Sequence, residues 1–304
     1  MKIDSFFGAA AAAAALLCGT SSAASLPPLP KTSTVAAKID FAKARSLPAT
    51  SAALDRLFAV VPELRSSEKM LSKSFGLDAR ADVSSVLAFA DGFALGNERV
   101  SLLDASSVAD GRLDTARLAA AVRRSPGFSS ARAGSLEAMT ADFARGRWLA
   151  FPESGRVLIS TSKAAMAKAA AAMAESPAPT PDFLKRALSA DCPAVAAIDG
   201  SNGGRNLSAL TGGILRIDAQ GLVARVTEKT PGTARIEVVM TFADEKQAAQ
   251  TLMTLMMLTA LGQAKNGTPD PLLQRLMESE VAADGCDVKF AMTATTSDFS
   301  GIGK

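Results

Sequence analysis

Apolar and polar residues alternate most regularly in the last third of the chain. Over residues 234–243, Ile236, Val238, Met240 and Phe242 oppose Arg235, Glu237, Val239 and Thr241. Over residues 286–295, Cys286, Val288, Phe290 and Met292 oppose Asp287, Lys289, Ala291 and Thr293. Successive side chains of an extended chain point to opposite faces, so each segment predicts a strand with one dry and one wet face. Residues 214–218 and 222–228, joined through Ala219-Gln220-Gly221, complete an antiparallel sheet whose dry face has to be covered. Helical spacing supplies the cover: residues 244–263 carry Leu252, Leu255, Met256 and Thr259 on one stripe, and residues 270–280 carry Leu272, Leu273 and Leu276. Met253, Met256 and Met257, at that spacing, read as core filler rather than as a soft ligand surface.

Nearer the N-terminus the same reasoning predicts a strand over residues 34–40, helices over 51–62 and 67–75, and strands over 83–90 and 99–105. A helix over 114–124 starts at an Asp114 or Thr115 cap and stops before Pro126-Gly127. Residues 147–151 and 156–161 read as an antiparallel pair, followed by an Ala-rich helix over 163–174, a helix over 182–190 and a strand over 194–199. Residues 200–213, rich in Gly, Ser and Asn, read as a joint. The mature chain thus divides into a proline-rich lead (25–33), an N-terminal α+β half (34–199), the joint, and a C-terminal antiparallel sheet with two covering helices (214–304). Strand, two helices, strand occurs in residues 34–90 and again in 234–295, which suggests two related halves. The expected fold is α+β, a largely antiparallel sheet with helices packed on one face.

Composition narrows the chemistry. The chain has 304 residues, 48% of them hydrophobic, enough for a sizeable core, yet it contains no His and no Tyr. A Ser-His-Asp triad and any zinc site that needs imidazole are excluded, and no cofactor is implied. The 33 basic and 30 acidic residues are interspersed, and there is a single Trp, so no footprint for nucleic acid emerges.

Residues 1–24 carry Lys2, an apolar stretch from Phe6 to Leu17, and Ser22-Ala23-Ala24, which reads as a cleavage site of a signal peptide. The expectation is an exported protein, periplasmic or secreted, with no transmembrane span after cleavage; lipid anchoring at Cys18 is the minor alternative. Loss of Cys18 leaves Cys192 and Cys286 as a candidate disulfide, with two separate buried thiols as the competing reading.

Gly76-Leu77-Asp78 with Asp82-Val83-Ser84-Ser85-Val86, residues 114–118, residues 157–163 and residues 214–258 follow one another in an order that resembles a group of exported bacterial proteins of unknown function. That resemblance implies an α+β fold and carries no activity with it.

Ser160-Thr161-Ser162-Lys163 matches the S-x-x-K pattern of serine β-lactamases, in which a lysine one helical turn on activates a serine. Ser66-Ser67-Glu68-Lys69 matches it too, no S-D-N is present, Lys229-Thr230-Pro231-Gly232 has proline where K-T-G needs glycine, and Ser or Thr before a helix also serves as an N-cap. Residues 199–205 lack both the G-K-[ST] ending of a phosphate loop and the carboxylates of a calcium loop. Arg145, Arg147 and Trp148 could form a cation-aromatic site, although one Trp opening an apolar strand is first of all core. The reading that remains is an exported, non-enzymatic protein that binds a protein or envelope component. The alternatives are a carrier of an apolar ligand or lipid between sheet and helices, and a serine hydrolase using Ser160 and Lys163.

Overall fold

The computed structural model describes residues 27–60, 72–73, 76, 78, 81–96, 99–125, 127–141, 147–175, 180–201, 218–263 and 278–300. The chain opens with β1 (Val35–Asp40), α1 (Phe41–Ser46), α2 (Pro48–Val60) and β2 (Val83–Ala90), then a small hairpin of β3 (Gly92–Gly96) and β4 (Arg99–Leu103). Next come β5 (Ser106–Gly111), α3 (Thr115–Arg124), the hairpin β6 (Phe128–Ala133) and β7 (Leu136–Ala141), and the pair β8 (Arg147–Glu153) and β9 (Arg156–Ser160). The helices α4 (Lys163–Ala174) and α5 (Asp182–Leu188) lead to β10 (Ala194–Asp199), β11 (Gly221–Thr230) and β12 (Thr233–Thr241). The chain then runs through α6 (Glu245–Gln263), β13 (Glu280–Asp284), β14 (Asp287–Thr295) and α7 (Thr296–Ser300).

Twelve strands form one antiparallel sheet in the order β13-β14-β12-β11-β10-β1-β2-β5-β9-β8-β7-β6, and β3 pairs with β4 outside it. The expected α+β fold with a large antiparallel sheet is what the chain adopts. β10 lies between β1 and β11, with Ala36 opposite Ala197 and Ala197 opposite Val223, so hydrogen bonding runs unbroken from the N-terminal strands into the C-terminal ones. The signal peptide with Cys18, nearly all of the joint, and most of the helices expected over 67–75 and 270–280 lie outside the described residues, as do residues 214–217.

Register decides which side chains share a face. Ala36, Leu87, Val108, Leu158, Ala150, Val195 and Ala197 lie on one side and pack with Met166 and Ala169 of α4 and Leu184 and Leu188 of α5. Leu158, Met166 and Leu184 are fully enclosed, and burial of a side chain of this size contributes about 1.5–3 kcal/mol. Residues offset by one step face the other way. There Leu222, Met240 and Val288 pack with Ala248 and Leu252 of α6; Met292 and Ala294 with Ala49 of α2 and Phe299 of α7; and Val157 with Leu118 of α3. Over β12 and β14 the described helices cover one face only, as expected, and the dry set Ile236, Val238, Met240 and Val288, Phe290, Met292 is that face. Over the N-terminal strands a second layer, α4 with α5, covers the opposite face. It can do so because β2 and β5 are buried on both sides: seven of the eight residues of β2 and the first four of β5 are buried.

Two polar fasteners hold the helices and the small hairpin to this frame. The Glu228 carboxylate of β11 accepts the N–H groups of Ala49 and Thr50 (3.0 Å each) at the start of α2, and that of Gly232 (2.7 Å) in the β11–β12 turn. It does for α2 what an N-cap side chain does, from a distant strand. Burial raises the Glu228 pKa, but these backbone N–H bonds outweigh it and hold the carboxyl below its ordinary value of 4.5. The second fastener is Lys168 of α4, whose ammonium donates to Asp91 (2.5 Å) and Asp104 (2.9 Å), the residues that enter and leave the β3–β4 hairpin. Asp104 sits at φ +45°, a conformation costly for a side-chain-bearing residue, and Ser162 donates to its other oxygen at 3.1 Å.

A depressed folded pKa stabilises the fold fully above the unfolded value and ceases to do so as pH falls through the folded one. Glu228→Gln should therefore cost about 1–3 kcal/mol at pH 7. The difference from wild type should shrink on acidification below about pH 4.5, as read by urea melts across pH. Lys168→Met should leave the global melt within about 1 kcal/mol, while accelerating hydrogen exchange of the Gly92–Gly96 and Arg99–Leu103 amides; unchanged protection there would remove the clasp role.

Candidate functional site

Ser160 ends β9, where its side chain is 1% exposed beneath α4. Its hydroxyl shares a 2.7 Å hydrogen bond with that of Ser106 on β5 and lies 4.0 Å from the Met166 sulfur. Lys163, the first residue of α4, is exposed, and its ammonium stands 5.9 Å from the centroid of the Trp148 ring. Neither residue bonds the other: the S-x-x-K spacing brings the lysine to the tryptophan and the serine into the core. The N-cap of α4 is Ser162, which accepts the Ala165 N–H at 3.0 Å. Trp148 is half-buried against the core, with Lys163 above it; Arg145 lies outside the described residues.

The expected Cys192–Cys286 disulfide is corrected by the structure, in which both thiols are free. Cys192 precedes the N-terminal end of β10, whereas Cys286 sits in the β13–β14 turn, level with Asp287, Thr241, Gly221 and Asp199 at the far end of β10. The length of β10 and three strand spacings separate them, roughly 20 Å or more at about 3.3 Å per residue and 4.8 Å per strand, beyond any bridge. Of the competing reading, two separate buried thiols, the separation holds, but only Cys192 is buried and Cys286 is half-exposed. Burial raises the Cys192 pKa, against the pull of Arg225, Lys38 and Lys43, and its S–H donates to the Ala194 carbonyl at 3.3 Å.

The Asp199 carboxylate is occupied by Ser201, accepting from its N–H (3.0 Å) and hydroxyl (2.5 Å) in a local turn. No cluster of three metal-ligating side chains occurs among the described residues, and no helix there is long and apolar enough to cross a membrane. Met253 and Met256, read from spacing as core filler, are 72% and 55% exposed, whereas Ala248 and Leu252 of the same helix pack against the sheet.

A site the sequence reading missed lies at the other end of the sheet. Between α3 and the strands β6 to β8 opens a groove of about 1030 Å³, with Met139 and Phe151 among its lining residues. Its charged lining includes Arg123, bonded to Glu137 at 3.5 Å, together with Arg132 and Glu153. Glu153 is held by Arg156, which also donates to Asp110 at 2.5 Å; burial lowers the Arg156 pKa, and the bond to Asp110 together with the charge of Glu153 more than restores it. β6 borders the groove and is the last strand of the sheet, and among the described residues no strand pairs with its outer side. The signal for this hairpin was the dipeptide Gly134-Ser135: Ala133 pairs with Leu136 across it, and Gly134 has φ +61°.

No protein-family model and no curated protein sequence matches the chain. Among solved structures the chain is similar to TP0453 in its crystal form IV, at 12% identity and a TM-score of 0.50 over 90% of this chain and 94% of that one. Crystal form I of TP0453 is similar at 11% identity and a TM-score of 0.46 over 90% and 95%. At such identities the likeness is one of fold alone.

In a thiol titration of the native protein, Cys286 should react with a disulfide reagent and Cys192 only on unfolding. Cys286→Ser should remove the fast phase and Cys192→Ser the slow one; a mature protein whose two cysteines react, even unfolded, only after reduction would contradict the free-thiol assignment.

Proposed function

We propose that the chain is an exported, non-enzymatic protein that works by binding a protein or an envelope component, seated in the groove between α3 and β6 to β8. The observation that carries this reading is the groove itself: the apolar side chains of Met139 and Phe151, charged lining of both signs, and a border strand whose outer side no other described strand pairs. Such a combination suits an extended segment of a partner, which can run along β6 and place side chains against Met139 and Phe151. Export is supported by the order of charged, apolar and small residues over 1–24.

A second reading, a carrier of an apolar ligand or lipid between sheet and helices, is supported by the exposed Met253 and Met256 on a helix with no charged residue from 247 to 263.

Both are tested by capture of partners from the envelope of the source cell on the mature protein, with proteins and lipids identified by mass spectrometry. Ala116→Trp and Ser130→Trp fill the groove from its wall and its border strand. They should abolish capture of a protein partner with no change in melting; retention by both would overturn the groove. Loss on Met253→Lys and Met256→Lys alone, with a stoichiometric lipid in the wild type, would favour the carrier. N-terminal sequencing of the secreted form should begin at Ser25.

A further inference from the structure

Residues 27–30, the end of the proline-rich lead, are packed into the molecule instead of lying on its surface. Pro27, Leu29 and Pro30 are buried, and Leu29 is fully enclosed in the core cluster that α4 and α5 cover. A buried segment that belongs to no strand has to satisfy its backbone donors some other way. Here the residue types remove most of them: Pro27, Pro28 and Pro30 have no N–H. The one that remains, on Leu29, donates to the Thr180 hydroxyl just ahead of α5 at 2.9 Å. On the other side of the segment the Ser33 N–H turns back to the Pro30 carbonyl at 3.0 Å. The Thr32 hydroxyl donates to the Asp91 carboxylate at 2.7 Å, and the Thr34 N–H to the Ala90 carbonyl at 3.0 Å. The lead is therefore tied to the start of α5 at one end and to the end of β2 at the other.

The cleavage site expected from the sequence, between Ala24 and Ser25, precedes this segment by two residues, Ser25 and Leu26. Two residues reach about 7 Å at most. A peptidase holds the chain on both sides of the scissile bond in an extended form, as other receptors of extended peptides do. A chain end resists proteolysis where burial and hydrogen bonding tie its backbone down. With the lead docked, the third residue after the bond, Pro27, is already buried, and the fifth, Leu29, is in the core.

We propose that the lead is a latch that closes only after processing: hydrolysis of the Ala24–Ser25 bond precedes docking of residues 27–30, and the folded full-length chain is not a substrate. In that step water adds to the Ala24 carbonyl and the C–N bond breaks, so that Ala24 leaves with the carboxylate and Ser25 keeps the amine. The order of synthesis favours this sequence of events, because Thr180, which receives the Leu29 N–H, lies 151 residues further on. Until that residue and α5 are available the lead has no seat, and the bond stays open to attack. The latch rests on the export reading above and is independent of the groove.

The test presents the full-length chain to a purified signal peptidase in detergent micelles, once immediately on dilution from urea and once after folding is complete. The folded chain should be cut at least about tenfold more slowly, through its small undocked fraction. A flexible Gly-Ser spacer of about eight residues between Leu26 and Pro27 should restore cutting of the folded chain with no change in its melt, because it moves the bond away from the body and leaves the lead docked. Equal rates for the folded and unfolded chains, or a folded chain that stays resistant with the spacer in place, would overturn the proposal. A chain cut in neither state would instead remove the signal peptide, and the latch with it.

Discussion

The pairing of β10 with β1 is the contact on which the architecture depends. Without it the strands from β2 to β6 and those from β11 to β14 would be two sheets, each with an open edge of unpaired N–H and C=O groups. With it β1 is bonded on both sides, and small residues let the helices approach: Ala36 and Ala197 meet in one row under α5. Phe183 of α5 reaches one strand further and lies on Gly221 of β11, where an added Cβ would come within 2.5 Å of the ring. The helix that delivers the chain to β10 is thereby also packed across the neighbouring strand.

Around that frame the polar interactions act at places where the chain leaves the sheet. Glu228 anchors the start of α2 from β11, and Asp91 gathers Thr32, Thr34 and Lys168 where β2 gives way to the small hairpin. Both are carboxylates met by more than one donor, and both tie segments far apart in sequence. The apolar layers set which face each helix covers; these carboxylates set where its end sits. The groove follows from what the layers leave uncovered at the β6 end of the sheet.

Strand and helix identity was legible wherever burial is one-sided or the ends are marked. β2, α4 and β10 fall on the residues expected from pattern alone, and α3 begins after Asp114, which accepts the Arg117 N–H. β6 and β7 were illegible because Phe128–Ala133 and Leu136–Ala141 lie near an edge and carry Ser, Ala, Thr and single charges without a clean alternation. The groove they form could not be foreseen without them. β5 was hidden for the opposite reason, being a central strand with Ser106 and Ser107 buried among apolar neighbours. The disulfide failed as an inference because spacing in sequence holds no information on which end of a strand a turn occupies. Met253 and Met256 failed as core filler because helical periodicity identifies stripes without saying which stripe faces inward when both are apolar, and the Met257 side chain lies outside the described residues.

Strand order carries a kinetic consequence. β1 is among the first elements made, yet the strand that occupies its second edge does not begin until Ala194. Contacts this distant in sequence form late and slow the search for the native state. A chain emerging from its N-terminus therefore carries a central strand with one edge unpaired for most of its synthesis or transit, and truncation anywhere before residue 194 leaves that edge open for good. Such fragments should be the aggregation-prone species of this protein.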